Sequence, residues 1–330
     1  MSKKRKFFKQ RLFWIALLLI LLGVGFSPTA DIAPIKYINR KSGEIKTEKV
    51  ASEKWLKWLY YNPLGEATLH TLVKRKAISD LFGWLMNTHW SANKIEPFIN
   101  EFGIDTTIII NKRYNTFNEF FTRKLKPSAR PVNRDSNIVV SPGDGKLLAY
   151  QSIKNRDFIV KGYRFDVSTF LHNDSLAALY DDGSMILLRL CPTDYHRYHF
   201  PLDGTVSHCV KINGSLFSVS PFALRTLPEI FLLNKREYII LANSRFGDVI
   251  MSEIGATMVG SIVQTYSGNR VVKGEEMGYF KFGGSSIILL FKKGTVQFDS
   301  DLIKNTGNGL ETEVKMGEHI GVVFDENGKF

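Results

Sequence analysis

The residues best suited to chemistry lie in one short segment, 194–201, which reads Asp-Tyr-His-Arg-Tyr-His-Phe-Pro. His196 and His199 stand three residues apart, among an acid, an arginine and two tyrosines. A histidine exchanges protons near neutral pH because its ordinary pKa is about 6.5. The segment follows an apolar run at 185–190, and functional side chains often gather where strands end. This cluster predicts proton-transfer chemistry, whereas a lone histidine is more often structural.

The same segment also admits a metal hypothesis. Cys191, His196, His199 and Cys209 are residue types that bind zinc, in the spacing C-x4-H-x2-H-x9-C. That spacing has no paired C-x2-C ligands, and the simpler interpretation of both cysteines is that they are small buried hydrophobic residues. We therefore predict no metal site and keep a zinc hydrolase as an alternative.

A second segment of interest reads Gly-Gly-Ser-Ser at 283–286 and leads into the apolar run 287–291. A glycine has no side chain to shield its carbonyl carbon, so Ser285 could attack the carbonyl of Gly284. Such a serine needs a base, usually a histidine oriented by an acid. Asp144 and the two histidines supply these residue types. Taken alone, the segment is more simply interpreted as an ordinary Gly-Ser turn.

The elements that must position these residues change in character along the chain. From about residue 52 to 119 the pattern is mostly helical, whereas from about 137 short β-branched runs alternate with Gly and Asp-Gly turns. The strand-like runs are 138–140, 185–190, 238–241, 257–263, 287–291 and 320–324. Closely spaced short strands predict an antiparallel β-rich domain. Since no G-x-G-x-x-G fingerprint is present, a dinucleotide-binding fold is not expected.

The charge distribution adds a membrane hypothesis. The 330 residues carry a formal net charge of +12, and six cations precede the uncharged run 12–26. That run of fifteen residues is short for a span, which needs about 17–25 residues, unless Phe7 and Phe8 contribute. We predict a membrane anchor with an inside N-terminus, and a cleaved signal peptide and an interfacial helix are the alternatives. No basic–aromatic motif accompanies the charge, so no nucleic-acid partner is expected.

All five tryptophans lie in the first 90 residues: Trp14, Trp55, Trp58, Trp84 and Trp90. Tryptophan favours the membrane interface, where its ring is in an apolar layer and its N–H stays hydrated. The Trp-containing helices could equally form an ordinary core or a homodimer contact. We predict an α+β protein with a basic head and membrane anchor (1–30), a helical membrane-proximal region (31–130) and a large antiparallel β-rich catalytic domain (131–330).

Several segments, in order, resemble the phosphatidylserine decarboxylase proenzyme family, a pyruvoyl-dependent group. They are Asn-Glu-Phe-Phe-Thr-Arg at 118–123 with Pro127 and Arg130-Pro131, Ser-Pro-Gly-Asp-Gly at 141–145, residues 194–204, and Lys-Gly-Glu-Glu-Met-Gly-Tyr-Phe at 273–280. The commonest processing sequence of that family is Leu-Gly-Ser-Thr, where this chain has Gly-Gly-Ser-Ser. The Gly-Ser pair is retained and a hydroxyl residue still follows it.

The resemblance implies that the chain cleaves itself between Gly284 and Ser285. Ser285 Oγ would attack the Gly284 carbonyl, and the family pattern assigns the base to His199, oriented by Asp144. Elimination and hydrolysis would convert Ser285 into an N-terminal pyruvoyl group, the cofactor. The chains 1–284 and 285–330 would stay together through sheet hydrogen bonds.

The resemblance also implies a reaction. Phosphatidylserine in an anionic membrane would form a Schiff base with the pyruvoyl carbonyl, lose CO2 and leave as phosphatidylethanolamine, with His196 as proton donor. The basic charge and the anchor suit such a substrate. The alternatives are a pyruvoyl-dependent decarboxylase of a soluble amino acid, a membrane-anchored zinc hydrolase and a non-catalytic membrane-bound β-domain.

Overall fold

The dominant element of the computed structural model is a large β-sheet. The structure describes residues 11, 13–16, 23–25, 32–154, 165–257 and 262–324. Within them the strands are β1 (Lys36–Asn39), β2 (Ile45–Thr47), β3 (Ile138–Val140), β4 (Gly145–Tyr150), β5 (Ser184–Leu190), β6 (Arg197–His199), β7 (Gly204–Val206), β8 (Val210–Ile212), β9 (Arg236–Asn243), β10 (Gly247–Ile254), β11 (Ile262–Gln264), β12 (Arg270–Val271), β13 (Glu276–Phe280), β14 (Ser285–Phe291), β15 (Val296–Phe298), β16 (Glu311–Val314) and β17 (His319–Val323).

Eleven of these strands form the main sheet, in the order β12-β7-β9-β10-β14-β5-β4-β16-β1-β2, with β8 also paired to β9. Two smaller sheets have the orders β11-β13-β6 and β15-β17-β3. Strand β14 lies in the middle of the main sheet, with antiparallel neighbours β10 and β5 on its two sides. The start of β14 is therefore held by hydrogen bonds from two directions.

Within the described residues, five of the ten α-helices precede the β-rich part of the chain and five lie within it. They are α1 (Glu53–Tyr61), α2 (Pro63–Thr68), α3 (Lys76–Met86), α4 (Ile95–Phe102), α5 (Phe117–Phe121), α6 (Val167–Leu171), α7 (Asp174–Ala177), α8 (Pro221–Thr226), α9 (Ile230–Leu233) and α10 (Ser300–Gly307). A π-helical turn at Leu69–Val73 and 3-10 turns at His89–Lys94 and Pro127–Ala129 complete the set within the described ranges. The predicted α+β class with a large β-rich part is confirmed.

Both faces of the main sheet are covered by apolar cores. Along β14, Ile287 and Leu289 pack into one core with the small-sheet residues, while Ile288 and Leu290 pack into the other with the helices. Because successive side chains point to opposite faces, a strand buried on both faces reads as a continuous apolar run. This is why the sequence of β14 shows no alternation. A third cluster, centred on Phe117 and Phe121, joins α5 to α3 and α4.

The structure differs from the predicted helical region 31–130 at its beginning. Residues 36–39 and 45–47 form the hairpin of β1 and β2, and β1 pairs with β16 near the other end of the chain. The turn between them uses Gly43 at a φ of 73°, which favours glycine. The β1–β16 pair is parallel, so the sheet is not wholly antiparallel. These strands are short and polar, and their pairing with a distant strand leaves no local pattern.

The predicted anchor 1–30 lies mostly outside the described residues. Residues 11, 13–16 and 23–25 are helical. Trp58 Nε1 and Asn62 Nδ2, at the end of α1, donate hydrogen bonds to the carbonyls of Gly25 and Val24 at 2.9 and 2.8 Å. Among the residues that can be described, no helix combines the length and the apolar character needed to cross a bilayer.

Candidate active site

Ser285 is the first residue of β14 and lies inside the protein. Its neighbour in β5 is Leu190, and Ser286 pairs with Ile254 of β10. Ser285 has no exposed surface, and its Oγ has no hydrogen-bond partner. Buried hydroxyl groups nearly always find a partner, since an unmade hydrogen bond is costly. Ser286 Oγ is also buried without a partner, but only Ser285 directly follows the unshielded carbonyl of Gly284, which marks Ser285 as the candidate nucleophile.

The backbone before Ser285 is held in a conformation that requires glycine. Gly283 has a φ of 137°, a value that L-residues rarely adopt. A Cβ on Gly284 would lie 3.2 Å from Val219 Cγ2, so this position is also tight. One residue earlier, the Phe282 N–H donates to Asn118 Oδ1 at 2.9 Å, which fixes the processing segment 282–285 to α5.

His196 lies beside this segment with one ring nitrogen free. Its Nδ1 is 3.0 Å from the Asp194 carbonyl oxygen, and because a carbonyl only accepts, Nδ1 carries the proton. The Nε2 atom is buried without a hydrogen-bond partner. Burial lowers the pKa of His196 to about 4, while the nearby backbone of Gly283 acts to raise this pKa. A neutral imidazole with an available lone pair therefore lies close to the processing segment.

His199 has both ring nitrogens occupied. Its Nδ1 donates to the Gly274 carbonyl at 3.0 Å, and its Nε2 is 3.3 Å from the Tyr195 hydroxyl, which donates to it. Burial lowers the pKa of His199, and Asp144 is among the groups that act against this shift. Asp144 is thus within electrostatic reach of His199, but no hydrogen bond joins them in the described part of the chain.

Asp144 is bound by other partners. Its Oδ1 accepts from Arg130 Nε at 2.8 Å and from the Met316 N–H at 2.9 Å, and its Oδ2 accepts from Arg130 Nη2. A two-pronged arginine contact is stronger than a hydrogen bond from a neutral imidazole. The structure consequently places Asp144 and His199 near each other but does not link Asp144, His199 and Ser285 in a hydrogen-bonded chain.

The loop that carries His196 is held by a buried ion pair that the sequence did not reveal. Lys146 Nζ lies 3.3 Å from Asp194 Oδ1, and Asp194 Oδ2 accepts from the Cys191 N–H at 2.9 Å. Burial acts to raise the pKa of Asp194, but the charges of Lys146 and Lys315 and the hydrogen bond from the Cys191 N–H together lower it to about 2. The pair fixes the loop whose carbonyl group orients His196. A lysine inside the apolar strand β4 was the available signal.

Two further buried residues were missed. Asn118 links Phe282 to Asn87, because its Nδ2 donates to Asn87 Oδ1 at 3.0 Å.

Glu253 of β10 lies opposite Ile287 of β14, and the alternation of side chains along a strand places Glu253 on the same face of the sheet as Ser285. Both oxygens of Glu253 are buried without partners, and burial, followed by the charge of Glu237, raises its pKa well above the ordinary value. An acid inside the buried run 249–254 of β10 was the signal.

The two cysteines lie apart. Cys191 Sγ is 3.1 Å from Arg189 Nη1 and 3.3 Å from Glu48 Oε1, whereas Cys209 Sγ accepts from Gln264 Nε2 at 3.1 Å. Across the described ranges, no group of three or more histidine, cysteine or acidic side chains has the arrangement of a metal site.

An apolar cavity of about 580 Å³ reaches the processing segment. Gly283 and Gly284 form one part of its wall. Most of the remaining wall comes from the helical region and includes Leu56, Leu59, Phe82, Phe98, Phe102 and Phe117. A pocket with this lining suits an apolar ligand whose reactive end meets Gly283 and Gly284.

These features define a class of protein. Because Ser285 has no exposed surface, the carbonyl it can most readily attack is that of its own neighbour, Gly284. An α+β chain with such a serine is a candidate self-processing proenzyme.

Comparison with known proteins identifies the family. The family model described as phosphatidylserine decarboxylase matches residues 117–322. A phosphatidylserine decarboxylase proenzyme of Clostridium botulinum (strain Kyoto / Type A2) is 49% identical over 291 residues, which cover 87% of this chain and 99% of the relative. One from Fusobacterium nucleatum subsp. nucleatum is 52% identical over 291 residues, 87% of this chain and 97% of the relative. The chain belongs to the phosphatidylserine decarboxylase family, and the resemblance found in its motifs is confirmed.

Proposed function

We propose that this protein is a phosphatidylserine decarboxylase, made as an inactive proenzyme that cleaves itself between Gly284 and Ser285. The observation that carries the proposal is the buried, unpartnered Ser285 hydroxyl directly after two glycines at the start of a central strand. The family membership of the chain supplies the reaction, a carboxy-lyase converting phosphatidylserine to phosphatidylethanolamine and CO2.

The cleavage uses groups of the chain and one molecule of water. Ser285 Oγ attacks the carbonyl carbon of Gly284, the amide C–N bond breaks, and an ester to Oγ forms. The Oγ proton passes through a base to the freed amine. Loss of the Cα proton then expels the Gly284 carboxylate and leaves a dehydroalanine. Addition of water and loss of ammonia give the pyruvoyl end of the chain that begins at 285.

We assign the base to His199 and its orientation to Asp144, as in the family pattern. His199 Nε2 is a hydrogen-bond acceptor in the precursor, where it receives the Tyr195 hydroxyl. To accept the proton of Ser285 it must exchange this partner. Asp144 supports the step because its charge favours the protonated ring. Arg130 holds the Asp144 carboxylate in place through two hydrogen bonds.

The site fits a pyruvoyl group at residue 285. The group occupies less space than the serine it replaces, and the free Ser285 Oγ shows that the site binds no side-chain hydroxyl there. A pyruvoyl group supplies an electrophilic carbonyl that takes up the electron pair released as CO2 leaves. The protein supplies the proton that returns to the α-carbon. We assign this donor to His196, whose free Nε2 lies next to the segment.

His196 must gain a proton before it can donate one. Its pKa of about 4 keeps the ring neutral in the precursor. A substrate carboxylate beside the ring favours the charged imidazolium and raises that pKa. The arrival of substrate would therefore charge His196, and the loss of CO2 would remove the stabilising anion as the proton leaves.

The substrate would reach the site from a membrane. The cavity beside Gly283 is lined largely by the helical region 31–130, and the same region has exposed apolar side chains. They include Trp55, Leu72, Leu81, Trp84, Trp90 and Ile110. We propose that these exposed apolar side chains contact an anionic bilayer and that the N-terminal segment is an anchor. We also propose that chains 1–284 and 285–330 remain paired through β14. A homodimer through the same apolar side chains is the competing assignment.

Intact mass and decarboxylation together test the proposal. We expect the wild type to consist of chains of 284 and 46 residues, the smaller with a blocked keto terminus. Ser285→Ala should remain a single chain. His199→Ala should block cleavage, and His196→Ala should cleave but release little CO2 from phosphatidylserine vesicles. An uncleaved wild type that is active would refute the proposal, and failure of both histidine variants at the same step would refute their separate roles.

A further inference from the structure

Arg123 is a buried cation that the proposed mechanism does not use. It follows α5, and only 5% of its surface is exposed. Its Nη2 donates to the carbonyl oxygens of Thr193 and Asp194 at 3.1 and 3.2 Å. Its Nη1 is buried and has no hydrogen-bond partner. A guanidinium carries five N–H donors, and leaving some of them unpaired inside a protein is costly.

The acids near Arg123 are already paired. Asp144 and Asp194 both act on it electrostatically, yet the first is bound by Arg130 and the second by Lys146. On its other side the guanidinium lies over the ring of Phe120, 5.1 Å from its centre. Neither carboxylate satisfies the free Nη1, so the site retains a positive group and an unused donor.

The position of this donor links it to catalysis. The Asp194 carbonyl oxygen that accepts from Arg123 Nη2 is also the partner of His196 Nδ1. A ligand held by Arg123 therefore lies close to the ring of His196. The usual partner of a buried arginine is an anion that can accept two parallel N–H hydrogen bonds from the guanidinium, such as a carboxylate or a phosphate.

The substrate of the proposed function carries both of these anions. The carboxylate loses its charge as CO2 leaves, so an arginine bound to it would stabilise the reactant more than the transition state and slow the reaction. The phosphodiester keeps its charge throughout and is only a few bonds from the α-carbon. An arginine bound there contributes affinity and orientation without opposing the chemistry.

We infer that Arg123 binds the phosphodiester of the substrate and is the residue by which this enzyme prefers a phosphodiester of serine to serine itself. The inference rests on the proposed function and extends it to substrate choice. The free Nη1 supplies the contact, while Nη2 ties the guanidinium to the loop that carries His196.

The test compares two soluble amines with the cleaved enzyme. One is glycerophosphoserine, which keeps the phosphodiester without acyl chains, and the other is serine O-methyl ether, which lacks the phosphate. We expect the wild type to favour the phosphodiester in kcat/KM by about 10- to 100-fold, as for a hydrogen bond to a charged group. Arg123→Gln should reduce this ratio to near one, and Arg123→Lys should give an intermediate value.

The matched control is Arg113→Gln, which removes the same charge from an exposed position in the same segment. It should keep the wild-type ratio, and all variants should still cleave into two chains. A ratio near one in the wild type, or a wild-type ratio in Arg123→Gln, would overturn the inference. Failure of both Arg123 variants to cleave would assign the residue to activation and overturn it as well. If the wild type itself neither cleaves nor decarboxylates phosphatidylserine, the proposed function fails instead.

Discussion

The link from Asn118 to Phe282 should control the rate of self-cleavage. Asn118→Ala removes the acceptor of the Phe282 N–H, whose hydrogen bond is 2.9 Å long. A peptide N–H left without a partner in the interior costs about 1–3 kcal/mol. Segment 282–285 can give this N–H a new partner only by shifting, and such a shift moves the Gly284 carbonyl away from Ser285 Oγ. If the whole cost enters the barrier, cleavage slows by about 5- to 150-fold.

The assay is a time course of cell-free synthesis, in which the fraction of chain converted to the 46-residue product is followed after synthesis is stopped. Asn118→Asp is the matched control, because it keeps an oxygen for Phe282 and should cleave much faster than Asn118→Ala. Asn87→Ala should have a smaller effect, since it removes only the second hydrogen bond of Asn118. A folded Asn118→Ala protein that cleaves at the wild-type rate would refute the reasoning.

Three further outcomes are expected in the uncleaved Ser285→Ala background, each measured by denaturant unfolding. Because the pKa of Glu253 is raised, the folded protein keeps a proton on this carboxyl group that the unfolded chain releases above about pH 4.3. The free energy of unfolding therefore falls by about 1.4 kcal/mol per pH unit between about pH 4.3 and the folded-state pKa. Glu253→Gln should remove this slope, and parallel pH profiles would contradict it. Gly283→Ala should cost about 1–3 kcal/mol because its φ of 137° suits only glycine, and an unchanged midpoint would count against that strain. Lys146→Met should lower the free energy of unfolding by about 3–5 kcal/mol, because it leaves the buried Asp194 carboxylate without its cation. Adding Asp194→Asn to the same chain should recover much of this loss. If the effects of the two substitutions are fully additive, the pair is not coupled.

The strands near the site were predictable because their signals are local. The runs at 138–140, 185–190 and 287–291 correspond to β3, β5 and β14, since each is a short apolar run bounded by turn residues. The predicted run at 257–263 lies partly outside the described residues, and β11 begins at Ile262.

The site was predictable in its residue types but not in its contacts. The Gly-Ser pair and the two histidines follow from short motifs, whose meaning depends on residue type and spacing. The partners of Asp144 could not be inferred in this way, because Arg130 and Met316 reach it from separate parts of the chain. The same holds for Glu253, whose place beside Ser285 is set by the register of β10 against β14.

Because β14 lies in the middle of the main sheet, the part of the chain from Ser285 onward must fold together with the part before it. The segment after Ser285 contributes β14, β15, α10, β16 and β17, and these strands pair with β10, β5, β4, β3 and β1 of the remainder. The intact chain can bring such distant partners together because they are covalently joined, and the proposed cleavage would remove that covalent connection. Once the mature enzyme is unfolded and its chains are diluted, their recombination becomes a bimolecular process. Under the proposed cleavage, the uncleaved precursor would therefore refold more readily than the two separated chains.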